Sequence, residues 1–209
     1  MNMNKVKVNL GCGSQTPKGW INVDYAFGAR LAKLPILKTV NRRLRLVNLQ
    51  WDHDILIHDL RTSFPWGDGS VDVIYSSHTL EHFTKEHGRL FLKECYRVLK
   101  PAGIIRIVVP DLATLVSGYL NGAIPAEDFV DKMEVSYEAA NDSMVKRKLA
   151  PFVRFPHKCM YDSNALIRIM GEIGFIVSGR EPYNSEISDI RAIELAERVQ
   201  DAVIVEGKK

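Results

Sequence analysis

The sequence predicts an α/β fold built on a mostly parallel sheet, and three observations predict it. Strand-like runs alternate with helical ones along the chain. The early strands stop on a glycine turn or a carboxylate, at Gly11-Cys12-Gly13, Asp24 and Asp59. The run from Ile104 to Val109 is apolar almost without a break, as a central strand buried on both faces requires.

The elements follow in order. Lys5 to Leu10 alternates polar and apolar residues and runs into the glycine turn, which reads as the first strand. Trp20 to Asp24 is a short second strand. Residues 25–50 carry Leu31, Leu34, Leu37, Val40, Leu44 and Val47 at three- and four-residue spacing, the pattern of an amphipathic helix, with Pro35 starting or kinking it. Ile55 to Asp59 is the third strand. Phe64 to Ser70 has turn chemistry, and Val71 to Ser76 is the fourth strand. Residues 84–99 form a helix with Leu90, Phe91, Cys95, Val98 and Leu99 on one face, stopped by Lys100-Pro101-Ala102-Gly103. Residues 112–150 read as helix broken near Asn121-Gly122 and Pro125. Asp162-Ser163 caps a helix through Met170, ended by Gly171 to Gly174. Phe175 to Val177 and Ala202 to Val205 are the last strands. A helical segment, Ser188 to Gln200, joins them, and this leaves room for one antiparallel strand.

Composition narrows the function. The chain has 209 residues, 46% hydrophobic and 25% charged, values of an ordinary globular domain rather than a disordered or collagen-like one. No internal repeat or linker appears, so residues 1–209 are expected to form one domain, with elaborations at 25–50 and 112–160. Mean hydropathy is −0.10, no run approaches the roughly 20 apolar residues of a spanning helix, and Met1 to Lys5 lacks the apolar stretch and cleavage site of a signal peptide, so none is expected. The 3 cysteines, Cys12, Cys95 and Cys159, form no CxxC pair. Neither a disulfide framework nor a cysteine zinc site is therefore expected, and the reducing cytoplasm is the expected compartment. A net charge of +3 is too mild to argue for nucleic acid.

In doubly wound sheets, ligands bind outside the carboxyl ends of the strands. Gly11 and Gly13 let the backbone approach such a ligand. Asp24 can accept from both ribose hydroxyls of a nucleotide, and Asp59 from an adenine amino group; the alternative is that both aspartates cap turns. A dinucleotide oxidoreductase would need a third glycine where Thr16 stands and a helix N-terminus for the pyrophosphate. Only Ser14 to Gly19, with Pro17 inside, separates the first two strands, which is too short for a crossover helix. That argues against a nicotinamide dinucleotide and tolerates a nucleoside without phosphate.

Here the residues resemble the class I S-adenosylmethionine-dependent methyltransferases. The resemblance rests on Asn9-Leu10-Gly11-Cys12-Gly13, Val23-Asp24, His58-Asp59-Leu60, and Phe64-Pro65-Trp66-Gly67-Asp68-Gly69-Ser70-Val71-Asp72-Val73-Ile74. It continues through His78-Thr79-Leu80-Glu81-His82 and Arg97-Val98-Leu99-Lys100-Pro101-Ala102-Gly103. It spans about residues 5–111, and more loosely Leu166 to Phe175 and the final strand. It implies a Rossmann-like doubly wound, mostly parallel seven-stranded sheet with an antiparallel strand near the C-terminus. It also implies S-adenosyl-L-methionine as cofactor and S-adenosyl-L-homocysteine as product. Gly11 and Gly13 would border the methionine part, with Asn9 and Cys12 beside them; Asp24 would hold the ribose, and Asp59 with Leu60 the adenine. Ser76, Ser77 and His78 would lie near the transferred methyl. Among such enzymes the chain looks most like those of polysaccharide and glycan biosynthesis. It departs from them in two ways: an amide, Asn9, stands where an acid is usual, and the helix after the glycine loop is missing or reduced to a turn.

Methyl transfer needs a positioned acceptor and, for a hydroxyl, a base. Histidine suits that role near neutral pH. His78, directly after the fourth strand, is the first candidate. His157, in a loop that can fold over the pocket, is the second; its alternative is an exposed loop histidine. His78 and His82 stand four residues apart, as metal ligands can. The first lacks the adjacent glutamate of the metalloprotease pattern, so no metal is expected and His82 reads as a packed or capping residue. Glu81 either bonds the cofactor or caps. Asp111 lies at the right sheet edge to orient a substrate, or simply makes a turn.

Charge along the chain is uneven. No acid occurs between Asp24 and Asp52, while Arg30, Lys33, Lys38, Arg42, Arg43 and Arg45 fall there. Lys146, Arg147, Lys148, Arg154 and Lys158 form a second cluster. Both can rim a site for an anionic acceptor such as a phosphorylated glycan or lipid-linked sugar, with Arg42 and Arg43 as substrate-binding candidates. A basic amphipathic helix can also lie on an acidic membrane surface, and a solvated face is the plain alternative. The expected function is methyl transfer to a small-molecule or glycan acceptor. The alternatives are a non-catalytic nucleoside-cofactor-binding protein of the same fold and, less favoured by the glycine loop, an NAD-dependent oxidoreductase.

Overall fold

The computed structural model describes residues 5–33, 54–136 and 155–209. Its strands are β1 (Lys7–Leu10), β2 (Ile21–Asp24), β3 (Leu56–Ile57), β4 (Val71–Ser77), β5 (Leu99–Pro110), β6 (Ile176–Gly179) and β7 (Ala202–Lys208). The helices are α1 (Phe27–Ala32), α2 (Lys85–Val98), α3 (Leu112–Leu120), α4 (Ala126–Lys132), α5 (Ser163–Ile173) and α6 (Ala196–Val199). The strands form one seven-stranded sheet in the order β3-β2-β1-β4-β5-β7-β6. β7 runs antiparallel to both β5 and β6, so it alone opposes the common direction. This is the doubly wound, mostly parallel sheet the sequence predicts, with its one antiparallel strand near the C-terminus. Strand order reverses between β1 and β4, which is where such sheets hold ligands.

No helix occurs in the connection from β1 to β2, residues 11–20. β1 has 4 residues and spans only about 13 Å at roughly 3.3 Å per residue. A chain of that connection's length can return along so short a strand without a helical crossover. β1 and β2 therefore pair in parallel, with Val8 opposite Ile21 and Leu10 opposite Val23.

α2 forms because Gly88, Phe91, Leu92, Cys95 and Val98 recur at helical spacing and bury one face, while the Thr84 side chain caps its start by accepting from the His87 N–H. That face packs with Leu166 and Met170 of α5 onto Leu10, Ile74, Ile105, Ile107 and Val205 of the sheet. The other face is thinner. It carries Val73, Tyr75, Val108 and Ile204, covered by Trp20 and by Ile187, Ile190, Ile193 and Val199 of the segment before β7. Trp20 Nε1 donates to Asp189 Oδ2 at 3.0 Å, and Lys7 pairs with the same carboxylate, fixing that segment to β1.

Two motifs far apart in sequence prove to be one clamp. Arg97 Nε and Nη2 donate to Glu94 at 2.9 and 2.7 Å, and its Nη1 reaches Asp68 Oδ1 at 2.7 Å and the Trp66 carbonyl at 3.0 Å. Glu94 Oε2 accepts from Phe64 N at 2.8 Å. The turn before β4 is thereby bolted to the last turns of α2.

Several boundaries differ from expectation. The third strand contracts to two residues at the sheet edge, where it has one neighbour. Lys100 to Gly103 does not simply end α2: β5 starts at Leu99, and these residues bulge out of it between the Val71–Leu99 and Val73–Ile104 pairs, with Ala102 at φ 61. α5 runs through Gly171 to Ile173 and stops at Gly174, whose φ is 120. Ser188 to Gln200 holds a single 3-10 turn, Ile190–Ala192, and α6. The break near Gly122 and Pro125 separates α3 from α4 as expected. Of the two elaborations, residues 34–53 and 137–154 lie outside the described residues. No helix among the described residues is long and apolar enough to cross a membrane.

Candidate active site

The carboxyl ends of β1, β2 and β4, with the turn after β3, open on one cavity of about 590 Å³, within the range of roughly 300–1,000 Å³ typical of small-molecule sites. Its floor is the glycine loop. Gly11 N and Cys12 N both donate to the Val23 carbonyl, at 2.9 and 3.0 Å. Gly11 has φ 72, and a β-carbon there would lie 2.0 Å from Thr79 Oγ1. Only glycine lets this backbone lie against the residues after β4. Gly13 N donates to Asp24 Oδ2 at 2.8 Å, and Asp24 Oδ1 accepts from Ala26 N at 2.6 Å. Asn9 is buried and its amide donates to the Gln15 carbonyl and to Asn22 Oδ1, each at 3.1 Å. The amide thus pins the loop to β2 where a carboxylate could not donate.

Asn9, Gly11, Cys12, Gly13, Asp24, Asp59, Leu60 and Ser77 all line the cavity, and so does His78. Asp59 is already engaged: Arg61 donates to it from Nε at 2.8 Å and from Nη2 at 2.6 Å. That guanidinium holds the Asp59 carboxyl below its usual range. Both carboxylate oxygens of Asp24 and Oδ2 of Asp59 keep a further lone pair, whereas Asp59 Oδ1 also accepts from Arg61 N at 3.0 Å. Glycine backbone, two acceptor carboxylates and the apolar Leu60 and Phe83 suit a nucleoside with an attached amino acid. With no helix opening from the loop, a pyrophosphate finds no N-terminal dipole there.

His78 follows β4 directly at φ 51, a left-handed conformation uncommon outside glycine. Its Nε2 lies 2.9 Å from the Arg198 carbonyl, and burial lowers its basicity. Its Nδ1 is 3.5 Å from Glu81 Oε1. Opposite stand Ile193, Leu195 and Arg198, with His82, Phe155 and Lys158 alongside. Burial pushes Glu81 up to about 8. Burial, with His157 adjacent, takes His82 down to about 4.

Three sequence candidates fall elsewhere. Ser76 does not line the cavity: strand alternation turns it inward, and its Oγ donates to the Leu10 carbonyl at 3.0 Å. Asp111 caps α3, accepting from Ala113 N at 3.0 Å and Thr114 Oγ1 at 2.9 Å. His157 is neither exposed nor on the cavity wall. It is buried behind it, its Nδ1 2.8 Å from the Met133 carbonyl and its ring 5.1 Å from that of His82. Arg42 and Arg43 lie outside the described residues. Sequence reasoning missed Thr79, Arg61 and Arg198. Arg61, two residues after Asp59, had a local signal; Arg198 had none, because its position depends on how the segment before β7 folds back.

Residues 8–107 match a family model described as a methyltransferase domain. No curated protein matches the chain significantly. Among solved structures it is similar to the YcgJ protein of Bacillus subtilis, at 13% identity over 99% of this chain and 92% of that one, with a TM-score of 0.52. It is also similar to an O-methyltransferase family protein of Burkholderia thailandensis, at 11% identity over 98% of this chain and 51% of that one, with a TM-score of 0.51. At these identities the structural likeness is one of fold.

Proposed function

Residues 8–107 match a methyltransferase domain, and we propose that the chain is a class I S-adenosylmethionine-dependent methyltransferase that methylates a small-molecule or glycan-type acceptor carrying negative charge. One observation carries the reading: Gly11, Asp24, Asp59 and His78 line a single cavity at the switch point of the sheet. The cofactor, when bound, supplies a sulfonium methyl open to displacement. Asp24 holds the ribose with the lone pairs left over from Gly13 and Ala26. Asp59 and the backbone at Leu60 receive the adenine, and Gly11 and Gly13 border the amino-acid end.

The acceptor enters from the side of Ile193, Leu195 and Arg198. Arg30, Lys158 and Arg198 all reach this cavity, and their charge favours an anion in a partly enclosed site. His78 stands at the methyl end with one ring nitrogen held by a carbonyl, so it fixes the acceptor's approach. Holding the two reactants in line is worth much of the barrier by itself.

The test is calorimetry with S-adenosylhomocysteine, followed by turnover of the labelled cofactor against anionic and neutral glycans. Micromolar or tighter product binding, with methylation of an anionic acceptor weakened in Arg198→Ala, supports the proposal. Absence of cofactor binding, or equal turnover of neutral acceptors, overturns it.

A further inference from the structure

Behind the methyl end of the cavity, three imidazoles surround one carboxylate. Glu81 sits in the 3-10 turn Leu80–His82 at 0% exposure, and neither of its side-chain oxygens has a hydrogen-bond partner among the described residues. His82 Nδ1 is likewise buried and without a partner among the described residues. His157 Nε2 lies 3.9 Å from Glu81 Oε1 and His78 Nδ1 3.5 Å from the same oxygen. Glu134 Oε2 approaches His157 Nε2 to 3.8 Å from the exposed side.

The tautomers are fixed by what the rings touch. A carbonyl only accepts, so His157 Nδ1, facing Met133 O, carries a hydrogen, as does His78 Nε2, facing Arg198 O. A neutral ring then offers a bare lone pair at its other nitrogen. Both rings turn that lone pair toward the Glu81 carboxyl, which when ionised also only accepts. Buried acceptors facing one another are costly unless a proton or a metal cation lies among them. A ring whose second nitrogen is held by a backbone carbonyl is also how ligating histidines are oriented.

We propose that Glu81, His82 and His157 bind one divalent transition-metal ion of the zinc class. One ligand atom from each lies within 4.8 Å of the others. Bonds of about 2.0–2.2 Å require that set to close by roughly an ångström. Two imidazoles and one carboxylate suit zinc, cobalt or iron(II) better than magnesium. Three protein ligands leave a coordination position open, and because His82 lines the cavity that position faces it. There the ion would take a hydroxyl oxygen of the acceptor and lower its pKa, the proton leaving to solvent, so that the oxygen forms its bond to the methyl as the sulfonium S–C bond breaks. This last role rests on the methyltransferase reading; ion binding does not.

The experiment uses the full chain, stripped with chelator. Zn²⁺ is titrated in by calorimetry, and the ring nitrogens of its 6 histidines are followed by ¹⁵N NMR. One equivalent should bind, perturbing His82 and His157 but not His58 or His87. Affinity should fall at least about 100-fold, the upper end of a lost supporting contact, in Glu81→Gln and in His157→Ala, and stay unchanged in His87→Ala. S-adenosylhomocysteine binding is measured on every variant as a separate check of the fold and of the cofactor site. No Zn²⁺ or Co²⁺ binding by the parent chain, as expected if a proton alone is shared in the cluster, overturns the proposal. Shifts confined to the exposed rings overturn it equally. Because the NMR arm needs only the parent chain, a variant that fails to fold does not remove the test.

Discussion

Arg106 and Glu194 meet through two hydrogen bonds in complete burial, Nε to Oε1 at 2.8 Å and Nη2 to Oε2 at 3.0 Å. Glu206, opposite Arg106 in the β5–β7 register, accepts from Nη1 at 3.3 Å, and the carbonyls of Asn184 and Glu181 take the remaining hydrogens. The guanidinium thus holds the segment before β7 against the thin face of the sheet. Glu194→Ala leaves this charge short of its main partner. Removing one member of a buried pair costs about 3–5 kcal/mol, so urea unfolding should show a loss of that size. A loss under about 1 kcal/mol would mean that Glu206 alone satisfies Arg106.

Gly11→Ala drives a methyl group into Thr79 at a left-handed backbone position. S-adenosylhomocysteine affinity should drop at least about 10-fold, since the backbone strain alone is about 1–2 kcal/mol. Thr79→Ala in the same chain should recover part of it, because the oxygen and methyl carbon in the way are then gone. Unchanged affinity in Gly11→Ala, read by calorimetry, would show that the loop can shift without cost.

Asp24→Ala removes the acceptors of the Gly13 and Ala26 N–H groups as well as the proposed ribose contact. Charge-assisted hydrogen bonds are worth roughly 1.5–3 kcal/mol each, so product affinity should fall by about 100-fold or more. Asp24→Asn, which keeps one acceptor oxygen, should fall in between. If Asp24→Asn binds like the parent, the carboxylate charge is not used.

Glu94, held by Arg97, has a carboxyl lowered from 4.5 to about 2. Its contribution to stability is fully present above about 4.5 and is lost as pH falls from there through about 2. Acid titration of the unfolding free energy should show that slope in the parent and a shallower one in Glu94→Gln. Parallel acid limbs would remove Glu94 from the account.

Much of this was legible because the motifs are local. Gly11 and Asp24 sit at strand ends and Asp59 two residues past β3, where turn chemistry marks the edge. Alternation also carries Ser77 to the cavity and Ser76 away from it, but which member of a pair faces in depends on register, and a single strand does not reveal register. Arg106 stood in plain view inside an apolar strand, a charge with no visible partner. Its partners lie 88 and 100 residues away, beyond the reach of any pattern. His157 looked like a loop residue because the loop that contains it folds inward only against α4's end and Glu81.

The two faces of the sheet divide the labour of change. α2 and α5 bury the thick face, and the cofactor end leans on it through Gly11 and Thr79. The proposed acceptor wall belongs to the thin face, where the segment carrying Ile193, Leu195 and Arg198 is held by the buried Arg106 guanidinium and by Asp189. Residues between β6 and β7 other than Asp189 and Glu194 can therefore be rewritten, in the laboratory or by descent, with the strands that lead to Asp24 and Asp59 left in place. A swap of that segment should transplant acceptor preference while the cofactor half stays the same.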